Sequence, residues 1–198
     1  MGDVITRGRK PVVPFLISLT GALFALYYSF TAQPIGDAGI LGSLVMIDGF
    51  AGFFRIVFSF IAVITILFSW SSEEIMGKGR EHKGEYYALI VLMTGGMMVM
   101  SEARDLVMLF MSMELVGLTS YVMAGYMRNS LRSTEASLKY VIFGAVSSGI
   151  MLFGMSLLFG MTGQMTFVGI RDALVINPVN ELAMLVFLVM IMAGFGYK

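Results

Sequence analysis

Six long apolar runs decide what this chain can fold into. They lie near 11–31, 49–71, 85–101, 104–126, 136–161 and 180–198. A run of about 20 such residues crosses a hydrocarbon core ~30 Å thick as a helix. Composition points the same way: 58% of the 198 residues are hydrophobic and 13% are charged, roughly half the charged share of an ordinary soluble domain. The expected fold is all-α, a polytopic bundle of about six transmembrane helices. No internal repeat and no low-complexity linker divides residues 1–198, so the chain reads as a single transmembrane domain.

The connections between the runs differ in charge. One set, 1–10, 72–84 and 127–135, holds Arg7, Arg9, Lys10, Lys78, Arg80, Lys83, Arg128 and Arg132. The alternate set, 32–48, 102–105 and 163–179, holds only Arg104 and Arg171. An excess of basic residues marks the cytoplasmic side, so the first set is expected there. The stretch "SEARD" (101–105) predicts a tight turn between adjacent antiparallel helices, and "NPVNE" (177–181) offers an asparagine to cap the last helix. Both ends read as cut. The last run stops at Lys198 with no polar flank, and "MGDVITRGRK" resembles a connection more than a signal peptide, although Pro11 to Phe30 could serve as a signal anchor.

The residue inventory excludes several function classes. There is no cysteine and a single histidine, His82, which removes cysteine-ligated iron–sulfur and zinc sites. No P-loop or dinucleotide-binding fingerprint is present. The formal charge is zero, without a nucleic-acid footprint. The chain is expected to carry no cofactor and no metal. Its 19 methionines read as adaptable packing.

One acid stands out. In "LFMSMELVGLTSY" (109–121), Glu114 lies nine residues beyond Asp105, about 13.5 Å along a helix and close to the middle of a bilayer. A carboxylate there costs roughly 2.5–3.5 kcal/mol on insertion scales, cannot snorkel out, and should face the bundle. Either it is functional, or it is a protonated hydrogen-bonding group that ties helices together. Lys139 follows Glu135 by four residues, so it suits an intrahelical pair or a snorkelling position as well as a functional role. Lys198 is an interfacial anchor if its helix ends there, and deep if it continues. The remaining charges have plainer readings. Arg55 can snorkel outward, Arg104 and Asp105 form a polar turn, and Glu73, Glu74, Glu81, His82 and Glu85 belong to a solvated connection. Gly144, Ser147 and Ser148 supply a small surface for close helix approach.

"SMELVGLTSYVMAGY" (112–126), followed by "RSTEASLKYVIFGAVSSGIMLFGMSLLFGMTGQMTF" (132–167), resembles the antiporter-like membrane subunits of proton-translocating NADH:quinone oxidoreductase, respiratory complex I. The second block favours the subunit N branch. The resemblance extends back through "IDGFAGFF" (47–54) and forward to "AGFGYK" (193–198). It implies a longer fold of about fourteen helices with two inverted repeats, each containing a broken helix. The six runs here would be its helices two to seven. It also implies a proton relay in which Glu114, Lys139 and Lys198 occupy the family's glutamate and lysine positions. Implied partners are the other membrane-arm subunits, with quinone handled elsewhere, and the implied location is the bacterial cytoplasmic (inner) membrane. Competing expectations are a homologous subunit of a multisubunit cation/proton antiporter or membrane-bound hydrogenase, and a non-transporting membrane scaffold. A solute transporter fits less well, because no clustered polar binding site is visible.

Overall fold

The structure, a computed structural model, describes residues 12–31, 44–72, 83–127, 130–176 and 180–198. Seven helices occur among them: α1 (Val12–Thr31), α2 (Gly49–Ser71), α3 (Lys83–Glu102), α4 (Leu106–Ala124), α5 (Leu131–Thr162), α6 (Phe167–Ile176) and α7 (Glu181–Tyr197). Six coincide with the apolar runs. Of these, α1, α2, α4 and α5 are individually long and apolar enough to cross a membrane, and α7 is a shorter apolar helix of 17 residues. Basic connections 1–10 and most of 72–84 lie outside the described residues.

Two stretches of helix lie outside the apolar runs. The helix that holds the fifth run begins at Leu131, ahead of 136, and α5 is 32 residues long, about 48 Å and well beyond a ~30 Å core. Its first turns contain Arg132, Thr134 and Glu135, which a hydropathy criterion rejects although they are helical. Ser130 starts the helix by accepting from the Ser133 amide at 3.4 Å. Gly163 ends it at φ 65°, a left-handed cap suited to glycine, and its amide donates to Phe159 O at 2.7 Å. Within 163–179, read as a connection, the chain forms the ten-residue helix α6. It is too short to span. Ile170 turns into the core while Arg171 and Asp172 pair in the open at 2.8 Å, the pattern of a helix lying along an interface.

The connections assigned to the non-cytoplasmic side meet in space. Met46 N donates to Glu102 O at 2.8 Å and Arg104 N to Leu44 O at 3.0 Å. Leu106 N donates to Met165 O at 3.1 Å and Phe167 N to Arg104 O at 3.2 Å. Segments 44–46, 102–106 and 165–167 are therefore joined by backbone bonds at one end of the bundle. That grouping agrees with the one given by charge. Asp105 completes the joint: it is 4% exposed and caps α4 by accepting from the Met108 amide at 2.7 Å. At the opposite end Phe15, Trp70, Tyr86, Tyr87 and Tyr126 form a chain of ring contacts between α1, α2, α3 and the end of α4, as aromatic residues do at membrane interfaces.

Packing divides into two clusters. Ala22, Ala62, Val63, Ile66, Tyr87 and Ile90 join α1, α2 and α3. Leu106, Met113, Met151, Met155, Leu158, Ile170 and Phe187 join α4 to α7. Hydrocarbon is as apolar as leucine, so close backbone approach supplies much of the cohesion between membrane helices. Small residues permit it along α5 and α7. A Cβ on Gly154 would stand 2.9 Å from Met190, and one on Gly194 would overlap Met151. Ser147 donates across the same seam to Gly194 O at 3.3 Å. Of the two "AGFG" glycines, Gly194 serves close packing while Gly196 faces open space, and α7 continues through both to Tyr197.

Arg55 does not simply reach for water. Its guanidinium lies 3.4 Å from Glu102 and over the ring of Tyr28 at 5.7 Å, with both charged side chains about six-sevenths buried. This ties α1, α2 and α3 together near the end that carries the backbone joint.

Candidate functional site

Helix periodicity places Glu114, Gly117 and Tyr121 on one face of α4. That face meets α5 and the end of α7. Lys198 Nζ donates to Glu114 Oε1, forming an ion pair whose side chains are 9% and 26% exposed. Glu114 therefore faces the bundle, and Lys198 lies inward of its helix instead of reaching out as a surface anchor. The Lys198 amide donates to Gly194 O at 3.3 Å, one further helical turn that fixes the root of the side chain.

Lys139 is elsewhere. It pairs with Glu135 at 2.5 Å on the same helix, and both side chains are about two-thirds exposed. The buried positions of α5, namely Gly144, Ser147, Ser148, Met151, Gly154, Met155 and Leu158, explain why. Extended two turns toward the helix start, that stripe passes through Tyr140 and then Ser137. Lys139 is one residue off it, turned by about 100°. Of the three residues singled out from sequence, Glu114 and Lys198 come together and Lys139 stands apart.

Hydroxyl groups that the sequence reading did not single out lead away from the pair, beginning with Tyr121. Tyr121 is 4% exposed, and its ring meets Tyr140 edge-on at 4.6 Å. Ser120 donates to the Tyr140 hydroxyl at 3.3 Å, and Tyr197 donates to Tyr140 O at 3.4 Å. Further along, Ser137 donates to Tyr121 O at 2.9 Å and Ser133 to Ala124 O at 2.7 Å. Polar groups of α4, α5 and α7 thus continue from the ion pair toward the start of α5. The available signal was spacing: Tyr121 falls seven residues after Glu114, and Tyr140 falls on the small-residue stripe of α5.

Chemically, the arrangement is an acid and a base held against each other between α4 and α7. An ammonium beside a carboxylate keeps its proton, and an amine separated from it gives the proton up more readily.

Comparison with known proteins supplies the context. Residues 103–198 match the family described as NADH:quinone oxidoreductase/Mrp antiporter, TM. NADH-quinone oxidoreductase subunit N of Chlorobium chlorochromatii (strain CaD3) is 37% identical over 99% of this chain and 38% of its own length. The chain spans about two fifths of the length of the curated relatives it matches. Among solved structures, a chain of the membrane-bound sulfane sulfur reductase, an archaeal respiratory membrane complex, superposes with a TM-score of 0.73 at 25% identity, covering 92% of this chain and 37% of that one. A chain of respiratory complex I from Thermus thermophilus gives 0.74 at 21% identity, covering 95% and 39%, and shows the shared fold. The protein is an integral membrane protein whose residues 103–198 match the NADH:quinone oxidoreductase/Mrp antiporter family and which is similar to subunit N of NADH-quinone oxidoreductase over nearly its whole length.

Proposed function

We propose that the chain is part of a proton-translocating membrane-arm subunit of an NADH:quinone oxidoreductase, in which Glu114 and Lys198 act as a relay driven by quinone reduction elsewhere in the complex. The observation that carries this reading is the partly buried ion pair itself. A scaffold would gain as much from apolar packing, because burying two charges costs several kcal/mol per ion in desolvation that their attraction must offset. Protons are the substrate. Lys198 Nζ holds one while Glu114 is beside it and releases it when the carboxylate is drawn away. At an effective dielectric of ~20, a unit charge ~6 Å distant changes the energy of the ammonium by roughly 3 kcal/mol, about two powers of ten in proton occupancy. Displacements of side-chain size are enough to gate a proton.

Lys139 has a lesser place in this scheme. Its exposed pairing with Glu135 suits proton exchange at the cytoplasmic end, outside the central pair. The chain's own residues supply no redox chemistry in this reading, and electrons pass through other subunits. The partners are those subunits, and the location is a bacterial cytoplasmic membrane with 127–135 facing the cytoplasm. Glu114→Gln in the assembled complex tests the reading: proton uptake should fall relative to quinone reduction, whereas a scaffold would pump normally. The second reading is a cation/proton antiporter, which the family's description includes. It predicts proton movement driven by a sodium gradient in the absence of NADH.

A further inference from the structure

A hydroxyl two turns along α4 from Glu114 is left over by the ion pair. Among the described residues, Tyr121 Oη is the buried side-chain oxygen or nitrogen that has no hydrogen-bond partner. Buried polar atoms are nearly always satisfied, so an orphan points to a partner that arrives in another state. The position a Gly117 Cβ would occupy is 3.3 Å from Tyr121 Oη and 3.5 Å from Lys198 Nζ. Phenol and ammonium therefore border one small space, which glycine leaves free of a side chain. Gly144 makes the room on the other side, since a Cβ there would overlap the Tyr121 hydroxyl. With Tyr140 packed edge-on, the ring is held and its oxygen stays at this spot.

We propose that Tyr121 is a positioning residue for Lys198, its hydroxyl being the second hydrogen-bond partner of the Lys198 amine when that amine leaves Glu114. The inference rests on the relay reading. In the closed pair the ammonium has only donors, and they turn to the carboxylate. Once unprotonated, Nζ has a lone pair and accepts a hydrogen bond from the phenol. Tyr121 keeps its own proton throughout. Its effect is to stabilise the unprotonated lysine in a fixed place, so that proton release is not penalised by leaving a buried amine without a partner. The other titratable groups here are Glu114 on α4, Tyr140 on α5 and Tyr197 on α7. The hydroxyls of Tyr140 and Tyr197 already have partners in Ser120 and the Tyr140 carbonyl.

The test is proton uptake and quinone reduction across pH in membrane vesicles holding the assembled complex. Tyr121→Phe keeps the ring and removes only the hydroxyl. Uptake should fall several-fold relative to quinone reduction near neutral pH, and the alkaline limb of the pumping profile should move to higher pH because the lysine holds its proton more tightly. Gly117→Ala should shift the limb in the same direction with the hydroxyl intact, by placing a methyl between the two groups. A wild-type profile in Tyr121→Phe overturns the inference; if that variant fails to assemble, Gly117→Ala decides it by the same criterion. Lys198→Ala, measured alongside, separates the two claims. If it loses pumping while Tyr121→Phe stays wild-type, the inference alone fails. If it pumps normally, the relay fails and the inference with it.

Discussion

Lys198 and Glu114 are 84 positions apart in the chain, yet the ammonium of one donates directly to the carboxylate of the other. The contact joins α7 to α4, helices whose main packing partners are α5 in one case and α3 and α5 in the other. A partly buried charge that loses its partner is strongly destabilising, whereas removing both charges is much less so. Lys198→Met should therefore lower thermal stability more than the Lys198→Met/Glu114→Gln double variant. The cycle should give a coupling of about 0.5–3 kcal/mol. Additive effects on thermal unfolding of the assembled complex would mean that the two groups act independently.

Lys139→Ala should be mild. Exposed ion pairs at this spacing stabilise a helix by only about 0.3–0.5 kcal/mol, and both partners here are exposed. Proton uptake in Lys139→Ala should stay well above that in Lys198→Ala. Equal losses would place Lys139 in the central relay despite its distance from the pair.

Asp105 holds the joint between segments 44–46, 102–106 and 165–167. Asp105→Ala removes the cap on α4 and should destabilise by about 0.5–2 kcal/mol. Asp105→Asn preserves an acceptor for the Met108 amide and should recover most of the loss. Thermal melting of the detergent-extracted complex distinguishes them, and equal melting of the two variants would show that the cap contributes little.

The fold was largely legible because hydrocarbon imposes a simple rule on length and polarity. Runs near 11–31 and 49–71 agree with Val12–Thr31 and Gly49–Ser71 almost residue for residue. The rule fails where a helix leaves the hydrocarbon. Leu131–Glu135 is helical but too polar for a hydropathy criterion, and α6 is apolar but, at ten residues, too short to count as a span. Glu114 was legible from depth alone. Its partner was legible only as Lys198 or a lysine of a neighbouring subunit, because one sequence does not show which helices pack against that face, and the contact is with Lys198. The stripe of Gly144, Ser147, Ser148 and Met151 on α5 contained part of that answer: continued backward, it selects Tyr140 and leaves Lys139 outside. Tyr121 was harder to see, since a tyrosine in an apolar run reads as packing until its oxygen is found without a partner.

The backbone joint gives the topology a basis independent of charge. Gln164 lies beside it, and Arg132 lies at the far end of α5, with both side chains exposed. Single cysteines at the two positions should label from opposite sides of sealed vesicles, Arg132→Cys from the cytoplasmic face. Labelling of both from one face would contradict a spanning α5.

The most direct measurement of the central claim is proton uptake per quinone reduced in vesicles containing the assembled complex, compared for Glu114→Ala, Glu114→Asp, Lys198→Ala and the double variant Glu114→Ala/Lys198→Ala. A relay predicts sharply reduced uptake in both alanine variants, partial function in Glu114→Asp because the charge remains, and a double variant little worse than the worse single one, since members of one unit are non-additive. Wild-type uptake in Glu114→Ala, with the complex assembled and reducing quinone, would contradict the relay and leave the pair as a tie between helices.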